Sequence, residues 1–350
     1  MFPFWLLNLV TLLIWSLPFV CCFRLPNKPT VSRRVDALFS LGDTCGLTYN
    51  EPVFRPPAEW RSLILQVTEG CSWNRCTFCE MYQTKNFRIK SMDVLENELM
   101  QIVQAGGAPH VRDVFLADGD AMALPTQRMV QVLQLIHKYL PKVRRISSYC
   151  LPRNIRHTSV SDLKELRSNG LSLVYIGCES GNDKVLQGIN KGETFESSLS
   201  ALEKLGDANI KRSVMILLGL GGTNLTLEHA EDSARLVNAA PPEYLSVLTT
   251  SFPLGKQRVE SGYQQELGVD FQELTPRQSL QELERLLELV DIPVSSGKTI
   301  FRSDHASNYL VLKGRLGRDK GRLLDELQAV LNAPESDDIY NLRPEWARGL

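Results

Sequence analysis

From about residue 60 the chain switches between two hydrophobic rhythms. Short apolar runs such as Leu63-Ile-Leu-Gln-Val67 and Asp113-Val-Phe-Leu-Ala117 predict strands covered on both faces. Between them apolar residues recur at helical spacing. Leu95, Leu99, Ile102 and Val103 form a stripe within 92–104, and Met129, Leu133, Ile136 and Leu140 form the next. Further strands are predicted at 145–149, 171–177, 211–218 and 245–250, with helices near 161–168, 194–205 and 227–238. Alternation of this kind implies an α/β fold built on a parallel sheet. About six strand–helix units fit a partly open (βα)6 barrel better than a closed eightfold one. Functional residues then belong at the C-terminal ends of the strands. The core is expected over 57–290 and a C-terminal extension over 291–350, and the tail from about Pro276 adds helices near 280–290 and 322–331. A polar segment holding His305, Ser307 and Asn308 lies between those helices, either closing the barrel mouth or bridging loops.

With 350 residues, 43% hydrophobic and 23% charged, the chain has ordinary globular composition. Its net charge of -1 gives no expectation of a nucleic-acid-coating surface. The basic run Lys313–Arg322 is expected to be the solvated start of a helix. No internal repeat, coiled coil or low-complexity tract interrupts the pattern.

The N-terminus is different. Residues 1–23 carry no charged side chain, which fits a signal peptide or a membrane anchor. The following 24–56 is transit-like or a linker: Arg24, Lys28, Arg33 and Arg34 face one acid, Asp36, before residue 41. Such a two-part presequence resembles those that target plastids in algae with complex plastids. The alternative is an anchor that holds the protein on the cytosolic side of a membrane.

Eight cysteines are too sparse for a disulfide scaffold, but Cys71, Cys76 and Cys79 cluster in the loop after the first strand. Three thiolates can hold three irons of a [4Fe–4S] cluster and leave the fourth iron open, whereas a closed structural site takes four protein ligands. A zinc knuckle that recruits Cys45 or a distant His is the alternative. Other polar motifs fall at predicted strand ends. They are Asp118-Gly119-Asp120, Ser147-Ser148-Tyr149 with Arg153, Glu179-Ser180-Gly181, and Gly219-Leu-Gly-Gly222. Gly119 permits close backbone approach. No Lys-Ser/Thr follows the glycines at 219–222, so a nucleotide P-loop is not indicated. Cys150 and Cys178 end neighbouring strands, as hydrogen donors or as small buried residues.

In order and position these motifs resemble the radical S-adenosylmethionine (radical SAM) enzymes. The likeness leans to the branch of tRNA methylthiotransferases, the elongator catalytic subunit and oxygen-independent coproporphyrinogen oxidase. It covers about 62–290 and implies a partial (βα)6 radical SAM barrel. By that resemblance Cys71, Cys76 and Cys79 bind a [4Fe–4S] cluster whose open iron chelates S-adenosylmethionine. Phe78 takes an aromatic position near the adenine, or packs in the core. Gly119 and Asp120 sit where the family binds the SAM amino group, and Glu179 and Ser180 where it faces the ribose. Lys191 matches a basic residue near the SAM carboxylate, or a solvated lysine. Gly219 lies in the adenine region, and Ser148 belongs to the pocket. Four residues separate Cys71 from Cys76 where three are commonest in the family, so the resemblance names a superfamily and not a reaction. It implies radical chemistry on an unknown substrate, with a ferredoxin- or flavodoxin-like electron donor. A non-catalytic cofactor carrier or chaperone is the alternative. No second cysteine cluster, cobalamin-binding domain or RNA-binding module is recognisable.

Overall fold

The computed structural model describes residue 47, residues 49–293 and residues 299–348. The signal or anchor expectation, the basic stretch before residue 41 and Cys45 fall outside the described residues, which include only 47 and 49–56 of the transit-like or linker segment. Among the described residues no helix is long and apolar enough to cross a membrane.

In chain order the strands begin with β1 (Leu63–Gln66), β2 (Thr68–Glu69), β3 (Arg88–Ile89), β4 (Asp113–Ala117) and β5 (Arg145–Cys150). They continue with β6 (Leu171–Glu179), β7 (Lys211–Leu218), β8 (Tyr244–Thr249), β9 (Ile300–Arg302) and β10 (Lys313–Arg315). Eight of them form one sheet in the order β1-β4-β5-β6-β7-β8-β9-β10. The first seven run parallel and β10 returns antiparallel to β9. The two outer strands do not pair with each other, so the barrel is open, and the six predicted units are its body. The strands β9 and β10 extend it. Three residues each, with Arg302, Lys313 and Arg315 among them, they carry no apolar period that would reveal them.

The helices are α1 (Met92–Gln104), α2 (Thr126–Tyr139), α3 (Pro152–Arg156), α4 (Val160–Ser168), α5 (Asp183–Gly188) and α6 (Phe195–Asp207). After them come α7 (Gly222–Ala239), α8 (Gln257–Leu267), α9 (Pro276–Leu289), α10 (Leu316–Asn332) and α11 (Asp338–Asn341). Local sequence explains several boundaries. Ser91 caps α1 by accepting from Val94 N–H, and Thr275 caps α9 ahead of Pro276. The basic run divides, its first three residues forming β10 and the rest the start of α10.

Successive strand residues face opposite ways. Leu65, Leu116, Ile146, Val174 and Val214 pack outward on helix residues such as Leu95, Leu99 and Leu133. Ile64, Phe115, Leu173 and Tyr175 face the concave side, where Phe115 meets Tyr149 and Tyr175 edge-on at 5.0 and 6.0 Å. The N-terminal end of the barrel is closed by the chain preceding β1. Buried Glu59 accepts from Tyr175 Oη at 2.7 Å and from Arg145 Nη2 at 2.9 Å. Val53 and Phe54, which the sequence pattern places ahead of the core, are buried within it.

Candidate functional site

The opposite end of the barrel carries the cysteine loop. Pairing of β2 with β3 ties the ends of residues 70–87 together, and Arg88 grips Glu69 through Nε at 2.7 Å and Nη2 at 2.9 Å. Within the loop the chain turns through Asn74, at φ +44°, a left-handed conformation that Asn tolerates. The Asn74 side-chain amide donates to the Tyr82 carbonyl at 2.8 Å. Trp73 Nε1 donates to the Asn190 carbonyl at 2.8 Å, and the Arg153 guanidinium lies 3.7 Å over the Trp73 ring. Thr77 N–H reaches the Ile189 carbonyl at 2.9 Å. Beneath the loop, buried Lys85 is ion-paired to Asp118 at 2.6 Å and donates to the Pro52 carbonyl at 2.6 Å. The four-residue cysteine spacing is therefore fixed on two sides, by the strand ends and by the 189–193 segment.

The strand-end motifs meet this loop. A Cβ on Gly119 would lie 2.7 Å from the Tyr82 ring and 2.8 Å from the Gly70 carbonyl oxygen, so glycine is required there. Asp120 is buried, with one carboxylate oxygen on the Ser72 hydroxyl. Its other oxygen, Oδ1, is buried without a hydrogen-bond partner. Burial pushes the Asp120 carboxyl up, against the pull of Ser72, the Asn154 side chain and the Arg153 charge. At the end of β6, Glu179 sits at φ +65°, uncommon for a non-glycine residue, and pairs with Lys191 Nζ at 2.8 Å. Burial works to lower the Lys191 ammonium, but Glu179 and Cys76 overcome it and hold it above its usual range. A Cβ on Gly177 would approach Lys191 Nζ to 3.4 Å.

Cys71, Cys76 and Cys79 are partly exposed, while burial of their sulfurs raises each thiol, Cys76 to about 12 and Cys79 to about 11. Lys191 opposes that rise at all three. Ionising this trio requires added positive charge, which is what thiolate-bound iron brings. Among the described residues no three ligand-type side chains converge on a single ion position. Ligands of an iron–sulfur cube each take a different iron, so they surround the cube and do not meet at a point. The donor set, with an unpartnered carboxylate oxygen beside it, fits a cluster and an ammonium-bearing companion.

The remaining candidates are placed differently. The Ser180 hydroxyl donates to His229 Nδ1 at 2.7 Å and accepts from Asn182 N–H at 2.9 Å. His229 Nε2 lies 3.0 Å from the Leu217 carbonyl, which assigns the proton to Nε2. Gly219, at φ +87°, donates its N–H to Glu282 Oε1 at 2.7 Å. Ser148 pairs in register with Val174, on the helix side of the sheet, and its hydroxyl reaches the Tyr149 carbonyl at 2.8 Å. Phe78 packs against the cluster of Val185, Ile189, Val259 and Tyr263. Cys150 and Cys178 face the helices and are buried, with their thiols pushed up. Asn308 bonds Thr249 and Val247, and Ser307 bonds Thr249, so that polar segment is tied to the end of β8. The site thus gathers the three cysteines, Gly119, Asp120, Glu179 and Lys191, with Ser180 held beside Glu179 at the end of β6 and Gly219 at the end of β7. Sequence reasoning missed Trp73, Lys85, His229, Arg258 and Glu282. The apolar Trp73 between two cysteines was the one local signal among them.

Residues 65–237 match the family model of the radical SAM superfamily. Among curated proteins the chain is similar to the heme chaperone HemW of Bacillus subtilis (strain 168). Identity is 24% over 159 residues, covering 45% of this chain and 41% of that protein. It is also similar to 4′-phospho-dehydrooxetanocin synthase of Priestia megaterium, 25% identical over 172 residues, covering 45% of this chain and 23% of that one. The chain therefore spans less than half the length of either relative. Among solved structures, coproporphyrinogen III oxidase (HemN) from Escherichia coli, a radical SAM enzyme, shares the fold. The TM-score is 0.51 at 17% identity, over 73% of this chain and 55% of that one.

Proposed function

Because the chain belongs to the radical SAM superfamily, we propose that it is an enzyme holding one [4Fe–4S] cluster on Cys71, Cys76 and Cys79 and S-adenosylmethionine beside it. The observation that carries this reading is three partly exposed cysteines on one pinned loop, all within the field of Lys191 in the buried Lys191–Glu179 pair. Together the two cofactors would supply one-electron cleavage of S-adenosylmethionine to a 5′-deoxyadenosyl radical that abstracts hydrogen from the substrate. Asp120 Oδ1, buried and unpartnered, is the acceptor for the methionine ammonium. Lys191 supplies the cation that favours thiolate at the cysteines, and Glu179 is the acceptor on the ribose side. Gly119 brings backbone close to the methionine end, and Gly219 takes the adenine side. The electron comes from a small ferredoxin- or flavodoxin-like protein.

Anaerobic reconstitution with iron and sulfide, followed by assay for 5′-deoxyadenosine under dithionite, tests the reading. Four irons per chain and S-adenosylmethionine cleavage are expected, both lost in Cys76→Ala. A loaded cluster with no cleavage favours a second reading, a cofactor carrier, which the similarity to a heme chaperone supports. That reading predicts haem binding, seen as a Soret band on titration.

A further inference from the structure

The cysteine loop is held from a third side by a residue outside the family-matched span. Arg258, on α8, donates Nη1 to the Cys79 carbonyl at 2.9 Å and Nη2 to the Cys76 carbonyl at 3.0 Å. The Cys76 carbonyl also receives Cys79 N–H at 3.3 Å, so the guanidinium fork spans the turn that sets the two cysteines relative to each other. Only arginine offers two rigidly spaced donors with a permanent charge.

The helix that carries Arg258 is itself fixed against the loop. Val259 and Tyr263 are buried in the cluster that receives Phe78 and Ile189. Gly262 packs so closely that a Cβ there would lie 3.0 Å from the Thr77 methyl. Tyr263 Oη is bonded to the Leu220 carbonyl. Glu80, next to Cys79, lies within the field of the same guanidinium. Neither fork nor loop can shift without moving the other.

We propose that Arg258 is the positioning residue of the iron–sulfur loop, holding the Cys76–Cys79 turn in its cluster-binding shape and placing a fixed positive charge beside it. This rests on the cluster reading above. Arginine at this place stabilises the loaded loop through two charge-assisted bonds, and its charge favours the reduced cluster.

The full chain, Arg258→Met and Arg258→Lys are reconstituted anaerobically, and melting of the unloaded proteins confirms their folding. On exposure to air, Arg258→Met is expected to lose its cluster about tenfold faster than the parent. Its reduction midpoint should be lower and the EPR signal of the reduced cluster altered. Arg258→Lys keeps the charge and loses the fork, so its midpoint should match the parent while cluster loss remains faster. If Arg258→Met does not fold, the Lys variant decides by its loss rate alone. Variants that match the parent in loss rate, midpoint and EPR signal overturn the role of Arg258. A parent that takes up no cluster overturns instead the reading on which it rests.

Discussion

Replacing Lys191 with methionine removes the cation from a pair whose side chains are only 4% and 11% exposed. At 2.8 Å and an effective dielectric of about 20, the attraction is about 6 kcal/mol before desolvation. Desolvating both ions offsets much of that, yet deleting one partner strands the other, at a cost of about 3–5 kcal/mol. For about 300 ordered residues the unfolding entropy is about 0.6 kcal/mol/K, so melting of the unloaded chain should fall by roughly 5–8 °C. Removing both charges, as Glu179→Gln with Lys191→Met, should restore more than half of the loss, because no ion is then stranded. Thermal denaturation followed by circular dichroism at fixed pH measures all three. A single variant within about 1 °C of the parent, or a double variant as unstable as the sum of its parts, would refute the pairing argument.

Two further outcomes follow from the same geometry. Gly119→Ala places a Cβ against the Tyr82 ring and the Gly70 carbonyl, so the turn must shift and carry Asp120 with it. Cluster retention should drop while the melting temperature changes by only a few degrees, about 1–3 kcal/mol of overpacking, checked by iron content and calorimetry. His305 is lowered by burial from 6.5 to about 4, so the folded state favours the neutral ring. Its contribution is present above pH 6.5, is lost as pH falls towards 4, and amounts to at most about 3 kcal/mol. Denaturant midpoints at pH 7 and 4.5 should converge in His305→Asn, and an unchanged gap would contradict the assignment.

Residues 92–104, 113–117 and 211–218 are bounded in the structure as the sequence pattern predicts, because burial on a stripe or on both faces leaves an unbroken apolar rhythm. The cysteine loop and the Gly119, Asp120 and Glu179 turns were legible for a related reason. Each is local in sequence and lies where a parallel barrel puts its loops. Ser148 was less legible, since Arg145-Ile-Ser-Ser-Tyr-Cys150 has no clear alternation and a one-residue change of parity turns a side chain to the other face. Arg258, Glu282 and Lys85 were not legible at all. Arg258 acts on a carbonyl 179 residues away, and Glu282 on an N–H 63 residues away. Lys85 depends on Asp118 and on the segment before β1. Such partners are set by three-dimensional packing, which no spacing rule records.

The central claim is that the open position left by three cysteines seats S-adenosylmethionine on a [4Fe–4S] cluster. EPR of the reduced, reconstituted protein before and after adding S-adenosylmethionine tests it most directly. The account predicts a cluster signal whose g values shift on addition, with the shift absent in Cys76→Ala because no cluster forms. A cluster signal that S-adenosylmethionine leaves unchanged, or stoichiometric zinc in place of iron after anaerobic purification, would contradict it.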